Sequence, residues 1–133
     1  MRLTGEGVTA MREILIRAGK VSIRARLLET PTAERIWAAL PIRAEAQMWG
    51  REVYFHSPVS SDCEPGARDV VSAGEIAFWP EGGAIAIGFG PTPISEGGEI
   101  RLASPCNIWG RALDDVRALK RIKAGAADKV EAS

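Results

Sequence analysis

Asn107-Ile108-Trp109-Gly110-Arg111-Ala112-Leu113-Asp114-Asp115-Val116-Arg117-Ala118-Leu119-Lys120-Arg121-Ile122 reads as a strand that runs into a capped helix. Asn107–Ala112 forms the strand. Asp114 offers a capping carboxylate, and Val116, Leu119 and Ile122 supply one inward-facing stripe. Arg117, Lys120, Arg121 and Lys123 suit the negative end of the helix dipole, and Gly125 suits a C-terminal cap. Upstream lies Gly83-Ala84-Ile85-Ala86-Ile87-Gly88-Phe89-Gly90, a strand with Ala84, Ala86, Gly88 and Gly90 on one face. Glycine weakens a strand interior unless something approaches closely. A ligand over the small-residue face is one explanation; tight packing or a barrel bend is the weightier one. Pro91-Thr92-Pro93 excludes regular helix and reads as a rigid loop at a rim.

Outward from this stretch, alternation dominates. Ile14 and Ile16 share a face, and after a turn at Ala18-Gly19-Lys20 so do Val21, Ile23, Ala25 and Leu27, opposite Ser22, Arg24 and Arg26. That is a hairpin with one buried side and solvated arginines. Thr30-Pro31 starts a helix, with a capping hydroxyl followed by proline at the first position. Ala33, Ile36, Trp37 and Leu40 then make an apolar stripe that Pro41 ends. Trp49 to His56 is a strand, with Glu52, Tyr54 and His56 on one face and Val53 and Phe55 on the other. Residues 57–67 form a loop. Short strands follow at Val70-Val71 and Ile76–Trp79, and another closes the chain near 129–132. About eight strands and two helices, with no β-α-β rhythm, predict a mainly β fold: a closed barrel with α-helices over its ends. Residues 1–12 read as a loose extension and 13–133 as one domain.

The 133 residues fit one domain, and seventeen basic residues balance seventeen acidic ones. No global field draws this chain to nucleic acid or an anionic membrane. No apolar run has the length of a membrane span, and no export signal is legible, so the expectation is a cytoplasmic protein. Cys63 and Cys106 are too few for a disulfide framework, and with His56 too few for tetrahedral zinc. Neither a metal nor a cofactor is expected.

The strand and helix at 107–122 resemble the cyclophilin pattern V-F-G-K-V-x-E-G-M-x-V-V-x-x-I. Trp109 stands at the phenylalanine, Gly110 at the glycine, Arg111 at the lysine and Asp114 at the glutamate, while Asp115 replaces a glycine. Gly90-Pro91 matches the A-G-P step that borders the cyclophilin groove. A longer resemblance is to a prokaryotic family of cyclophilin-like proteins of unassigned function. Its W-G-x-E-[VI]-Y-F, G-[DE]-[IV]-x-x-W-P-x-G-x-A, F-G-x-T-P-[IM]-S and A-S-x-x-N-[VI]-x-G-[KR] segments read here as 49–55, 74–84, 89–95 and 103–111. The resemblance implies a cyclophilin-like barrel with a groove.

Cyclophilins carry their arginine in F-H-R-x-[IV]-P-x-F, followed by Q-G-G-D. Here Phe55-His56 is followed by Ser57, Q-G-G-D does not occur, and Cys106 falls at the pocket histidine's spacing. Arg51 or Arg68 remain as spatial substitutes. The groove candidates are Glu52, Tyr54, Phe89, Pro91, Thr92, Cys106 and Trp109, with Trp109 near the floor. The polar stripe of Glu52, Tyr54 and His56 is more simply an outward, solvated face, and Asn107 a satisfied polar group. The favoured expectation is a groove-binding module for a small molecule or peptide. The alternatives are a prolyl isomerase with a rebuilt site and an interaction domain of a larger assembly, since related barrels resemble domains of amide-hydrolysing and kinase-inhibitor assemblies. A homo-oligomer or protein partner is compatible with each.

Overall fold

The computed structural model describes residues 12–133; the rest of the expected extension lies outside them. Arg12 belongs to the domain. Its carbonyl accepts from Leu27 N, its guanidinium pairs with Glu34 at 2.8 Å, and it lies 5.0 Å above the Trp37 ring.

Ten strands follow in chain order: β1 (Glu13–Ala18), β2 (Val21–Leu27), β3 (Ile42–Glu45), β4 (Gln47–Met48), β5 (Glu52–His56), β6 (Arg68–Val71), β7 (Glu75–Trp79), β8 (Ala84–Gly88), β9 (Ile100–Ala112) and β10 (Ala127–Ala132). Among the described residues, one helix, α1 (Pro31–Ala39), and one 3-10 helix (Val116–Arg121) accompany the strands. The sheet order is β3-β10-β1-β2-β9-β7-β8-β5-β4. Its two edges are consecutive in sequence. β3 pairs with β10, β4 pairs with β5, and only Ala46 separates them, so the stretch 42–48 closes the barrel. Ala46 bonds through both backbone groups to the 125–126 turn. Ile42, Ala44, Ala46 and Met48 alternate with Arg43, Glu45 and Gln47, a strand pattern made weak by its two alanines and not among the strands expected above.

The predicted inward faces are buried. Ile14, Ile16, Ile23, Phe55, Phe78, Ile85 and Ile87 fill the barrel, and α1 covers it with Ala33 and Ile36. Thr30 caps α1 by accepting from Ala33 N at 3.1 Å. The second expected α-helix is corrected to a 3-10 helix capped by Asp115, whose Oδ1 accepts from Arg117 N at 3.0 Å. Val116, Leu119 and Ile122 recur every third residue, which matches three residues per turn. Asp114 turns away and clamps the Arg24 backbone and guanidinium, each at 2.8 Å.

β9 is the element that creates a site. Its second half belongs to the barrel beside β2 and β7, while its first half leaves the barrel and pairs with β6. This half lies over the outer face of β7 and β8 and builds a second, smaller core of Val71, Ala77, Ala86, Ile100, Leu102 and Cys106. Opposite Ile76 and Ala77 of β7 stand Gly110 and Ile108, so Trp109 is the extra residue of a bulge.

Asn107 ties the 57–67 loop to the barrel. It donates to the Asp62 carbonyl at 2.8 Å and to Thr32 Oγ1 at 3.0 Å, and accepts from Glu64 N at 2.8 Å. Thr32 in turn bonds Glu64 Oε2 at 2.5 Å. Asn107→Ala removes all three of these bonds, at a cost of about 2 kcal/mol. The expected outcome is earlier proteolytic cutting within 57–67 than in the unaltered protein, measured by limited proteolysis and mass spectrometry.

Candidate functional site

Along β5, Val53 and Phe55 point into the barrel, so Glu52 and Tyr54 point out of it, toward the first half of β9. There they meet Trp79 of β7, Ala86 of β8, and Leu102, Ala103 and Cys106 of β9, with Trp49 at one end. Together these eight residues line a cleft of about 300 Å³. The β4–β5 turn sets its end. Trp49 and Glu52 exchange backbone hydrogen bonds across Gly50-Arg51. Gly50 takes a φ of 60°, and a side chain there would run into Thr92 and Pro93.

The polar inventory of the cleft is small. Glu52 is 6% exposed, and its Oε1 has no hydrogen-bond partner. Burial pushes its carboxyl up to about 7. The indole Nε1 of Trp79 is also buried without a partner, as is the hydroxyl of Ser104 beside the cleft. Cys106 donates to the Ser104 carbonyl at 3.3 Å. Its thiol is pushed up to about 12, first by burial and then by Glu52, Cys63, Asp69 and Glu81, so it is no nucleophile at neutral pH. Glu52 is therefore the cleft's candidate for proton exchange near neutrality.

Three of the seven sequence candidates, Glu52, Tyr54 and Cys106, meet in this cleft. The solvated reading of the polar stripe is corrected for Glu52 and Tyr54, because the first half of β9 covers them. His56 is exposed, its Nδ1 lies 3.0 Å from the Gly82 carbonyl, and its ring stands edge-on to Tyr54. Phe89 lies elsewhere, in a second hollow of about 390 Å³ shared with Met48, Gly50, Arg51, Arg117 and Lys120. Pro91 is exposed, and Thr92 is buried as a loop anchor, bonding Ser95 and the Arg101 carbonyl. Trp109 is 0% exposed in the barrel core. The expected floor is thus Ala86, not Trp109, because the bulge aims that indole inward.

Ala86 is also where the small-residue face of β8 is open. A Cβ on Gly88 would collide with Ile100, and one on Gly90 with the Arg51 side chain. Trp49, Trp79, Leu102 and Ala103 were not among the sequence candidates. The tryptophans read as packing, and 100–106 carried no clear strand signal. Among the described residues, no three His, Cys, Asp or Glu side chains are grouped to hold a metal, and no helix is long and apolar enough to cross a membrane.

The family model described as Cyclophilin-like matches residues 12–131. The chain belongs to the cyclophilin-like family. This cyclophilin-like chain is similar to a hypothetical protein of Archaeoglobus fulgidus solved in solution, with 36% identity over 93% of this chain and 96% of that one, at a TM-score of 0.80. The protein McbB, solved in complex with tryptophan, shares the fold at 15% identity and a TM-score of 0.66 over 89% of this chain and 44% of its own. No curated protein matches this cyclophilin-like chain.

Proposed function

We propose that this cyclophilin-like chain is a binding protein that holds a small molecule in the outer-face cleft and does not isomerise prolyl bonds efficiently. The observation that carries this reading is a buried, unpartnered carboxyl in an otherwise apolar cleft of about 300 Å³. Leaving a buried polar group unpaired costs stability, and a ligand that pairs it recovers that cost. Concave apolar walls with a few convergent polar groups are how small-molecule sites are generally built.

The case against isomerisation is electrostatic. In the cyclophilin pattern an arginine near the prolyl nitrogen helps to lower the rotation barrier of about 20 kcal/mol. No arginine, lysine or histidine lines the cleft. Of the two spatial substitutes, Arg51 lines the other hollow, and Arg68 is bidentate to Glu75 at 2.5 and 3.1 Å. In a protease-coupled peptide assay, cis–trans exchange is expected to proceed at the uncatalysed rate. A kcat/KM approaching about 10⁷ M⁻¹s⁻¹ overturns the reading.

Binding is tested by a fragment screen read through the Trp79 indole N–H signal. Ala86→Leu fills the floor without changing β8 pairing. It is expected to weaken every fragment that shifts that signal by about tenfold or more. Because Ala86 belongs to the second core, the larger side chain also costs about 1–3 kcal/mol, so a native-like NMR spectrum of the variant is the fold control. Fragments that bind the variant as before place the site elsewhere.

A further inference from the structure

We infer that the outer-face cleft takes a protonated amine, its ammonium group donating to Glu52 Oε1 and its apolar body lying among Trp49, Tyr54 and Trp79. The inference rests on the reading of this cleft as a ligand site and adds the chemistry of the ligand.

Four observations converge on it. An ionised carboxylate is an acceptor, so the partner that Oε1 lacks is a donor. No cationic side chain lines the cleft to supply that donor. The arginines of the covering strands are already engaged, Arg68 with Glu75 at 2.5 Å and Arg101 with Glu99 at 2.7 Å and Asp69 at 3.0 Å. The charge must then arrive with the ligand. Three of the eight lining residues are Trp or Tyr, whose ring faces attract a desolvated cation. Finally, the carboxylates of Glu52, Asp69 and Glu81 bear on the Cys106 thiol, and no cationic side chain does. An anionic ligand is repelled at such a site, and a low local dielectric strengthens the discrimination.

The binding has a pH signature. Burial holds the Glu52 carboxyl at about 7, so below that pH the site loses the charge that the ammonium needs. The other titratable walls are Tyr54 on the same strand and Cys106 on β9, and the thiol, at about 12, stays protonated throughout. Asp69 faces the β9 side, paired with Arg101, and Glu81 is exposed beyond β7.

Three probes of like size separate the possibilities: 2-phenylethylammonium, neutral 2-phenylethanol and anionic phenylacetate. Affinities are measured by NMR titration of the full chain at pH 8. The ammonium is expected to bind about tenfold or more tighter than the alcohol, and phenylacetate to be undetectable at about 10 mM. Lowering the pH to about 5.5 should erase the ammonium's advantage while sparing the alcohol. Glu52→Gln should do the same at pH 8; if that variant does not fold, the pH titration of the unaltered protein decides. Alcohol or phenylacetate binding as tightly as the ammonium, an advantage that persists at low pH, or no ammonium binding at about 10 mM overturns the inference. Only failure of the fragment screen at this cleft removes the ligand-site reading beneath it.

Discussion

Gly88→Val is expected to lower the melting temperature by about 6–12 °C, a loss of about 2–3 kcal/mol. Gly88 sits opposite Glu52 on the β5–β8 ladder, on the outer face of the barrel. A Cβ there falls inside the van der Waals radius of Ile100 Cγ2, with Val71 Cγ2 in contact behind it at 3.9 Å. Ile100 is 7% exposed, and its β-branched side chain has few rotamers to retreat into. It is also paired in register with Val71, so moving it strains the β6–β9 ladder. Thermal unfolding followed by circular dichroism measures the loss. Ile100→Ala in the valine background should recover part of it, because the two sites share one contact. A valine variant that melts within about 2 °C of the parent shows instead that the first half of β9 yields easily. The glycine therefore serves the packing of β9 over the barrel, and the guest-accessible position on β8 is its neighbour Ala86.

The second large effect is a fall in stability as pH rises from about 4 to about 7. Asp128 on β10 is 4% exposed, and neither carboxyl oxygen has a partner. Burial raises it from 3.8 to about 7, as burial raises Glu52 from 4.5 to about 7. Both carboxyls are thus protonated in the folded chain over a pH range where the unfolded chain has lost the protons. The native state binds more protons there, so the free energy of unfolding declines with pH and levels off above about 7. The decline is on the order of 2–4 kcal/mol for Asp128. Below about pH 4 the sign reverses. The Arg24 hydrogen bonds hold Asp114 down at about 2, and those from Arg117 do the same for Asp115, so protonating them removes stability. Their contribution is small, because both pairs face solvent. The stability maximum is therefore expected near about pH 4. Asp128→Asn should flatten the profile and leave the variant more stable than the parent at pH 8. Urea midpoints measured from pH 4 to 9 check this, and a parent that gains stability across that range contradicts the burial of both carboxyls.

Much of the barrel was legible because alternation reports burial directly. β1 and β2 were read from Ile14, Ile16, Val21, Ile23, Ala25 and Leu27, and each of these is buried. Thr30 and Pro31 start α1 as their backbone chemistry requires. The omissions differ in cause. Residues 42–48 do alternate, but Ala44 and Ala46 make a weak strand pattern, and 42–45 pair with β10, far along the chain. In 100–106, Ala103-Ser104-Pro105 interrupts the alternation, and the pairing is with β6.

The sequence by itself determined which faces of the strands differ, where the first helix begins, where the chain turns, and, through the spacing of its motifs, the family. A period of two separates two faces but does not say what covers each. Tertiary structure decided that. By leaving the barrel at its midpoint, β9 covered the Glu52–Tyr54 face and turned a stripe that reads as solvated into the wall of a cleft. By bulging opposite Ile76 and Ala77, the same strand sent Trp109 into the core and left Ala86 as the floor. The perturbed carboxyl at Glu52 follows from that covering, since desolvation depends on what packs above a side chain and not on its neighbours in sequence.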